Sequence, residues 1–363
     1  MRNAIRLKKR ADVPGYLHIL LPVIGVLAAL VFCAVLILIM GGNPMDAYSR
    51  LLQGAFGSSR KIATTLTKAV PLMLCGLCVS VAFKMRLMTI GAEGQMTIGC
   101  LAASGVALFL PMEGPLKIVI MLIVGFLAGG LWALISVLPK VYLGVSEIIV
   151  TLLMNYVGIL FSEYFIYGPW KDPNGDNMPF SAPFATNARL PDLFGSGVHA
   201  GILVAVVAAV LLYFLLKHTV WGYQLKVIGE SSNAAKYAGM NIRRSILITM
   251  LISGGLAGLA GVCEVAGTVG ILKTGISNNS GYTAIIIAYL AKFNPLVVVL
   301  VAILFGGLQA GSYSMQLVGL PVQIVPLLQG SILLFVLAAE YLTRYQIVRV
   351  RKSGGEEGAS HDA

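Results

Sequence analysis

Apolar residues in this chain neither alternate nor recur on one helical face; they come in blocks. Ten blocks approach the length that crosses a bilayer, at roughly 17–40, 62–83, 92–110, 117–138, 146–168, 200–217, 246–270, 282–292, 295–312 and 322–340. Spread over the whole chain, they predict an all-α polytopic membrane protein of about ten transmembrane helices, because helices satisfy their own backbone polar groups in lipid. The eighth block is too short to cross alone. It ends near Asn294-Pro295, where the residue before proline is pushed out of the helical region, so a half-helix or broken span is predicted there.

The polar segments between the blocks set the expected topology. Cytoplasmic loops are enriched in Lys and Arg. With the N-terminus inside, the inner segments hold 18 of these residues and the outer ones 7, which predicts both termini in the cytoplasm. Residues 1–16 then form a basic cytoplasmic segment, 17–340 the transmembrane domain, and 341–363, ending in "SGGEEGASHDA", a disordered cytoplasmic tail. Within the transmembrane domain, 169–199 is an external loop whose Pro, Asn, Asp and Gly predict turns, and 218–245 is the largest cytoplasmic piece.

Composition removes whole classes of function. With 58% hydrophobic residues, 11% charged and a mean hydropathy of +0.87, the chain is not a soluble domain. The net charge of +11 is accounted for by topology and by attraction to anionic lipid, without nucleic acid. The uncharged run from Tyr16 to Met40 is too long for the core of a signal peptide, so it is expected to be a retained span. All five cysteines (33, 75, 78, 100, 263) fall in apolar blocks; Cys75 and Cys78 have CxxC spacing but no second pair nearby, which favours packing over zinc or redox chemistry. The four histidines (18, 199, 218, 361) are scattered and offer neither a metal site nor a nucleophile-base pair, so no catalytic residue and no metal are assigned. No G-x-x-x-x-G-K-[ST] motif occurs, so any ATP and its Mg must be handled on a partner chain, and no cofactor is assigned to this one.

Ionisable residues inside spans cost about 2.5–3.5 kcal/mol on insertion scales and need a partner, a cavity or an interface. Here they are Lys68, Glu93, Glu147, Glu163, Glu264 and Glu340. Glu147 and Glu340 are placed at the inner interface, Glu163 and Glu264 toward outer ends, with Glu264 the deeper. Gly91 and Gly94 flank Glu93, which predicts a break over 88–94 feeding the start of the third span, just inside the cytoplasmic edge, with Gln95 and Thr97 beginning the helix. Two readings stand for Glu93: a lock that accepts the free N–H groups of that helix or pairs with Arg86, and a wall that touches solute. Asn155 lies mid-span beside Tyr156; the amide suits either a hydroxyl-rich solute, with the tyrosine stacking on a base, or an interhelical hydrogen bond. The small-residue stretches 253–261 and 306–311 predict close helix contacts, at a subunit seam or in plain packing, and Gln309 joins Glu93, Gln95, Asn155, Tyr156 and Glu264 as a pathway candidate.

The inner loop carries "Gly-Glu-Ser-Ser-Asn-Ala-Ala-Lys-Tyr-Ala-Gly-Met" over 229–240, including Glu230. Ser232 or Asn233 is predicted to cap a short helix that Gly239 ends. The order Asn233-Ala234-Ala235, three residues, then Gly239 resembles the EAA---G loop of ATP-binding-cassette importer permeases, with Asn where that pattern has Glu. Further segments, "Ile90-Gly-Ala-Glu-Gly-Gln95", "Gly144-Val-Ser-Glu-Ile-Ile-Val-Thr-Leu-Leu-Met-Asn-Tyr156", "Gly281-Tyr-Thr-Ala", "Phe293-Asn-Pro-Leu296" and "Phe305-Gly-Gly-Leu", resemble the branched-chain amino acid, ribose and nucleoside permease family, most of all its nucleoside and simple-sugar branch. The resemblance covers most of residues 40–340. It implies a type II importer-like bundle in the plasma (bacterial inner) membrane, with a second permease subunit in a heterodimer, two ATPase subunits docked on the 229–240 loop, and an external solute-binding protein. The contrasting expectation is an ion-coupled secondary transporter of a small polar solute, working through Glu93 and Glu264.

Overall fold

Each of the ten apolar blocks forms a helix, and three more helices appear between them. The computed structural model describes residues 3–9, 17–173, 175, 178–193 and 195–351. The helices are α1 (Leu17–Ile39), α2 (Pro44–Phe56), α3 (Ser59–Lys84), α4 (Ala92–Phe109), α5 (Leu116–Leu143), α6 (Glu147–Tyr167), α7 (Gly201–His218), α8 (Val220–Glu230), α9 (Ser232–Tyr237), α10 (Ile242–Cys263), α11 (Ser280–Leu290), α12 (Pro295–Gln316) and α13 (Ile324–Arg344). A π-helical turn, Glu264–Val269, extends α10.

Among the described residues, six helices are long and apolar enough to cross a membrane: α3, α5, α6, α7, α10 with its π turn, and α12; α1 and α2 counted together make a seventh. Glu93 and Gln95 dilute the hydropathy of α4, and α11 has only 11 residues. The expected half-helix is therefore present, ending at the turn before Pro295.

The chain falls into two units. One comprises 1–41 and 326–363. In it β1 (Asn3–Lys9) pairs antiparallel with β2 (Tyr345–Arg351), Asn3 opposite Arg351 and Lys9 opposite Tyr345. Gly25 of α1 lies against the backbone of Phe335 and Val336 on α13, where a side chain would not fit. Order thus runs past the expected boundary at 341, because Ile347, Val348 and Val350 are β-formers interleaved with charge. Residues 352–363 lie outside the described residues, as does the side chain of Glu340.

The other unit, 42–325, is built around α3, buried at every position from Ala69 to Ala82. Against it pack α10, α11 and α12. On its far side α10 meets α5 and α4 through glycines: a side chain at Gly258 would overlap the Gly125 carbonyl, one at Gly254 the Gly129 carbonyl, and one at Gly99 the backbone of Gly258. In α12, Gly306 abuts Thr65 and Ala69 of α3, and Gly311 abuts Leu51 of α2. Both small-residue stretches are thus packing faces, where backbones approach closely.

Candidate functional site

The site begins where α3 ends. Arg86 takes a left-handed conformation (φ 56°), and the chain turns back into the bundle as an irregular strand before α4. Buried irregular backbone needs partners for its polar groups. A row on α6 supplies them: Met88 N–H donates to Glu147 Oε1 (3.3 Å), Ile90 N–H to Thr151 Oγ1 (3.1 Å), and Gly94 N–H to Asn155 Oδ1 (2.9 Å). Asn155 Nδ2 donates in turn to the Ile90 carbonyl (2.8 Å) and to the Tyr282 hydroxyl (3.3 Å). Glu147, Thr151 and Asn155 are spaced by four, so one face of one helix holds the whole break. Glu147 is itself anchored by Lys140 Nζ at 2.6 Å.

Glu93, in the first turn of α4, reaches across to the start of α11. Its Oε2 accepts the Gly281 N–H at 2.7 Å. Asn279 precedes α11 in a left-handed conformation and gives it no side-chain cap. A carboxylate from another helix therefore takes one of the free amides at the start of α11 and faces the positive end of its dipole. Gly281 permits the approach, since a side chain there would overlap the backbone of Glu93.

Two expectations change here. The Glu93 carboxylate engages the Gly281 amide of α11, where the lock reading names α4 or Arg86, and Glu93 also lines a cavity, as the wall reading requires. Its depth also differs: the far end of α11 at Leu290 is nine residues, about 14 Å, from Gly281, so Glu93 lies inside the bundle and not near an edge.

Above Glu93 opens a cavity of about 260 Å³. One wall is Thr97 of α4, another Ser162, Glu163 and Ile166 of α6, and the third the segment 273–279, which descends from the end bearing 169–199 to the start of α11. Glu163 and Lys273 both line it, and neither forms an ion pair with the other. Hydroxyls and amides of Thr97, Ser162, Ser277, Asn278 and Asn279 supply most of the remaining polarity. The loop at the mouth is held to the chain after α10: Ser181 N–H donates to the Leu272 carbonyl, and Phe184 N–H to the Gly270 carbonyl, each at 2.9 Å.

The other expected pathway residues separate. Asn155 is fully buried and spent on the break, so its interhelical role is the one the geometry supports, and it does not line the cavity. Tyr156 is 58% exposed on α6 and does not line the cavity. Gln95 is buried beside Gly91, its Oε1 3.6 Å from Cys78 Sγ and its Nε2 without a hydrogen-bond partner. Glu264 pairs with Lys68 at 3.6 Å and accepts from Thr268. Gln309 is half-buried on α12 and does not line the cavity. Ser162, in what looks like a span interior, is passed over in the sequence, whereas Lys273 and 277–279 fall in the stretch 271–281 that is expected, with 169–199, to form the external mouth.

At the opposite end, the expected single short helix is two, α8 and α9. Ser231, not Ser232 or Asn233, caps α9, its Oγ accepting the Ala234 N–H at 3.2 Å. Gly239 follows with φ 72°, the left-handed position that closes a helix, and Met240 N–H returns to the Ala235 carbonyl. Glu230, Asn233, Ala234 and Gly239 are exposed, but Ala235 is not. It packs with Leu225 and Ile228 of α8 against Met85, Val137 and Met250 at the ends of α3, α5 and α10. A helix has two sides, and Ala235 is on the inner one. Tyr237, which the motif did not single out, is 94% exposed on the outer one.

Among the described residues no three His, Cys, Asp or Glu side chains converge as metal ligands. The sequence pattern of the family described as "Branched-chain amino acid transport system / permease component" matches residues 61–337. The chain is 33% identical over 359 residues to the glucose ABC transporter permease protein TsgB13 of Haloferax volcanii, covering 96% of this chain and 94% of that one. It is 34% identical over 345 residues to the guanosine ABC transporter permease protein NupP of Bacillus subtilis (93% and 98%), and 30% identical over 328 residues to the nucleoside ABC transporter permease protein NupB of Lactococcus lactis (88% and 90%). Several apolar helices of spanning length, in such a chain, make it a multi-pass protein of the plasma membrane. Its polar break, buried cavity and short helices at one end are thus features of a permease, and the chain belongs to the branched-chain amino acid transport system permease component family.

Proposed function

We propose that the chain is the membrane-spanning permease subunit of an ABC importer and that it passes a neutral polar solute, a nucleoside or a simple sugar, through the cavity above Glu93. The observation that carries this reading is the cavity's lining: hydroxyls and amides suited to a solute rich in hydroxyls, beside two carboxylates, Glu93 and Glu163, and one ammonium, Lys273. Glu93 offsets the positive start of α11, so the site does not select for an anion. Relatives named for guanosine, nucleoside and glucose transport support the same solute class.

Driving force comes from partners. Two ABC ATPase subunits dock on the exposed side of α8–α9 and hold the ATP and Mg; a second permease subunit completes the pathway, and an external solute-binding protein delivers to the mouth near 169–199. Ten crossings with both termini in the cytoplasm fit the charge distribution, and the pairing of β1 with β2 supports ends on the same side. The engagement of Glu93 by α11 and of Glu264 by Lys68 speaks against an ion-coupled cycle that would need either carboxylate free.

The test is uptake into proteoliposomes containing the chain with its partner subunits and binding protein. Nucleoside uptake that requires ATP inside and persists with an uncoupler is expected, as is its loss in Gly239→Arg with the chain still in the membrane. Uptake that collapses with the uncoupler while ATP is preserved overturns the reading.

A further inference from the structure

At the α8–α9 end of the bundle lies a second cleft, of about 490 Å³, unrelated to the solute cavity. Three lysines from three elements line it: Lys84 at the end of α3, Lys217 at the end of α7, and Lys292 in the turn between α11 and α12. Among the described residues the lining contains no carboxylate. Lys217 is oriented by Tyr213, whose hydroxyl is 2.9 Å from Nζ and whose ring centroid is 5.2 Å away. The turn is stiff: Lys292 and Phe293 both take left-handed conformations (φ 48° and 58°), and the Phe293 ring packs on Phe83 and Tyr289.

The cleft opens onto apolar helix faces. One and two turns back along α7 from Tyr213 stand Val210 and Val206, and one and two turns along α12 from Val297 stand Leu300 and Leu304, all exposed. Leu300 and Leu304 are more than 60% exposed, a pair of large apolar side chains leading away from a basic pocket. Charge at one end and a hydrocarbon track at the other match one kind of molecule. We propose that this cleft binds the phosphate headgroup of an anionic phospholipid, with its acyl chains lying along α7 and α12.

Basic pockets between helices on the cytoplasmic side are suited to such headgroups. An acidic segment of a partner protein would also meet the lysines, but it would leave the apolar track unused. No residue of α8 or α9 lines the cleft, so it is separate from the surface assigned to ATPase docking.

The experiment uses the full chain in its complex, extracted from membranes containing phosphatidylglycerol and phosphatidylethanolamine. Native mass spectrometry reads retained lipid, and thermal unfolding reads the shift on adding phosphatidylglycerol, phosphatidylcholine or inorganic phosphate. The wild type is expected to retain phosphatidylglycerol and to shift with it alone. Lys84→Gln/Lys217→Gln is expected to lose about ten-fold or more of that retention, and Lys226→Gln, on α8 outside the cleft, to keep it. Should the double variant unfold early without lipid, Lys217→Gln alone must show a several-fold loss. Equal retention of phosphatidylcholine, the same shift with inorganic phosphate, or a double variant that keeps its lipid and sheds its ATPase subunits overturns the proposal.

Discussion

Glu93 and Gly281 are 188 positions apart, yet the Gly281 amide donates to the Glu93 carboxylate at 2.7 Å, joining the starts of two helices inside the bundle. The contact needs a carboxylate on one side and the absence of a side chain on the other. Gly281→Ala is expected to destabilise the chain by about 1–3 kcal/mol, because packed backbone must move to admit the methyl. Glu93→Gln keeps an acceptor in place and should cost less, about 1 kcal/mol, the difference between a charge-assisted and a neutral hydrogen bond. Thermal unfolding of the detergent-solubilised variants decides the order; a Gly281→Ala midpoint equal to wild type contradicts the geometry.

Asn155 holds the break through both ends of its amide. Asn155→Leu leaves the Ile90 carbonyl and the Gly94 amide without partners in a buried setting and should cost about 2–5 kcal/mol. Tyr282→Phe removes only the longer 3.3 Å bond and is expected to cost under about 1 kcal/mol. Equal stabilities for the two variants would show that Asn155 faces solute more than backbone.

Lys68 and Glu264 compensate each other. Glu264 is 3% exposed and Lys68 23%, so Lys68→Met strands a buried carboxylate and should cost about 3 kcal/mol, at the low end for a broken buried pair. Adding Glu264→Gln is expected to restore most of that loss. A double-mutant cycle on unfolding free energy measures the coupling, which additivity within about 0.5 kcal/mol would refute.

Tyr237 and Ala235 occupy opposite sides of α9. Tyr237→Ala should leave stability within about 0.5 kcal/mol of wild type and reduce the ATPase that copurifies, since the side chain touches little of its own chain. Ala235→Phe should impair folding and docking together by overfilling the core it enters.

His199 couples stability to pH. It is buried against Gly267, its Nδ1 accepts the Gly201 N–H, and burial holds it down from 6.5 to about 4. Above pH 6.5 it is neutral in folded and unfolded chains alike. As pH falls from 6.5 toward 4, the unfolded chain takes the proton first, so stability drops, by about 2 kcal/mol at pH 5. His199→Gln should remove that part of the acid sensitivity between pH 7.5 and 5 in thermal unfolding, and an unchanged slope would exclude His199 as its source.

Block length located helices to within a few residues, as with 62–83 against Ser59–Lys84, because a bilayer-spanning helix must be apolar on every side. The same criterion missed α2. Its apolar positions Ala47, Leu51, Gly54 and Ala55 form a single face, a 3.6-residue signal that follows the helix-starting pair Asn43-Pro44. Asn155 was legible as an important residue but not as a backbone clamp, since its partners are peptide groups some sixty positions earlier, and peptide groups leave no mark in composition. The cavity was the least legible part. Its wall at 273–279 has the composition of an exposed loop, and only the tertiary course of the chain takes it inside.

The glycine seam among α4, α5 and α10 has a mechanical consequence. Where backbone bears on backbone, no flexible side chain lies between the helices, so α4, α5 and α10 form one closely packed block. Leu225, Ile228 and Ala235 key α8 and α9 into the end of that block beside Met250 and Val137. On the proposed function, a push on α9 would reach Thr97 and Glu93, at the floor of the cavity, through this packed block.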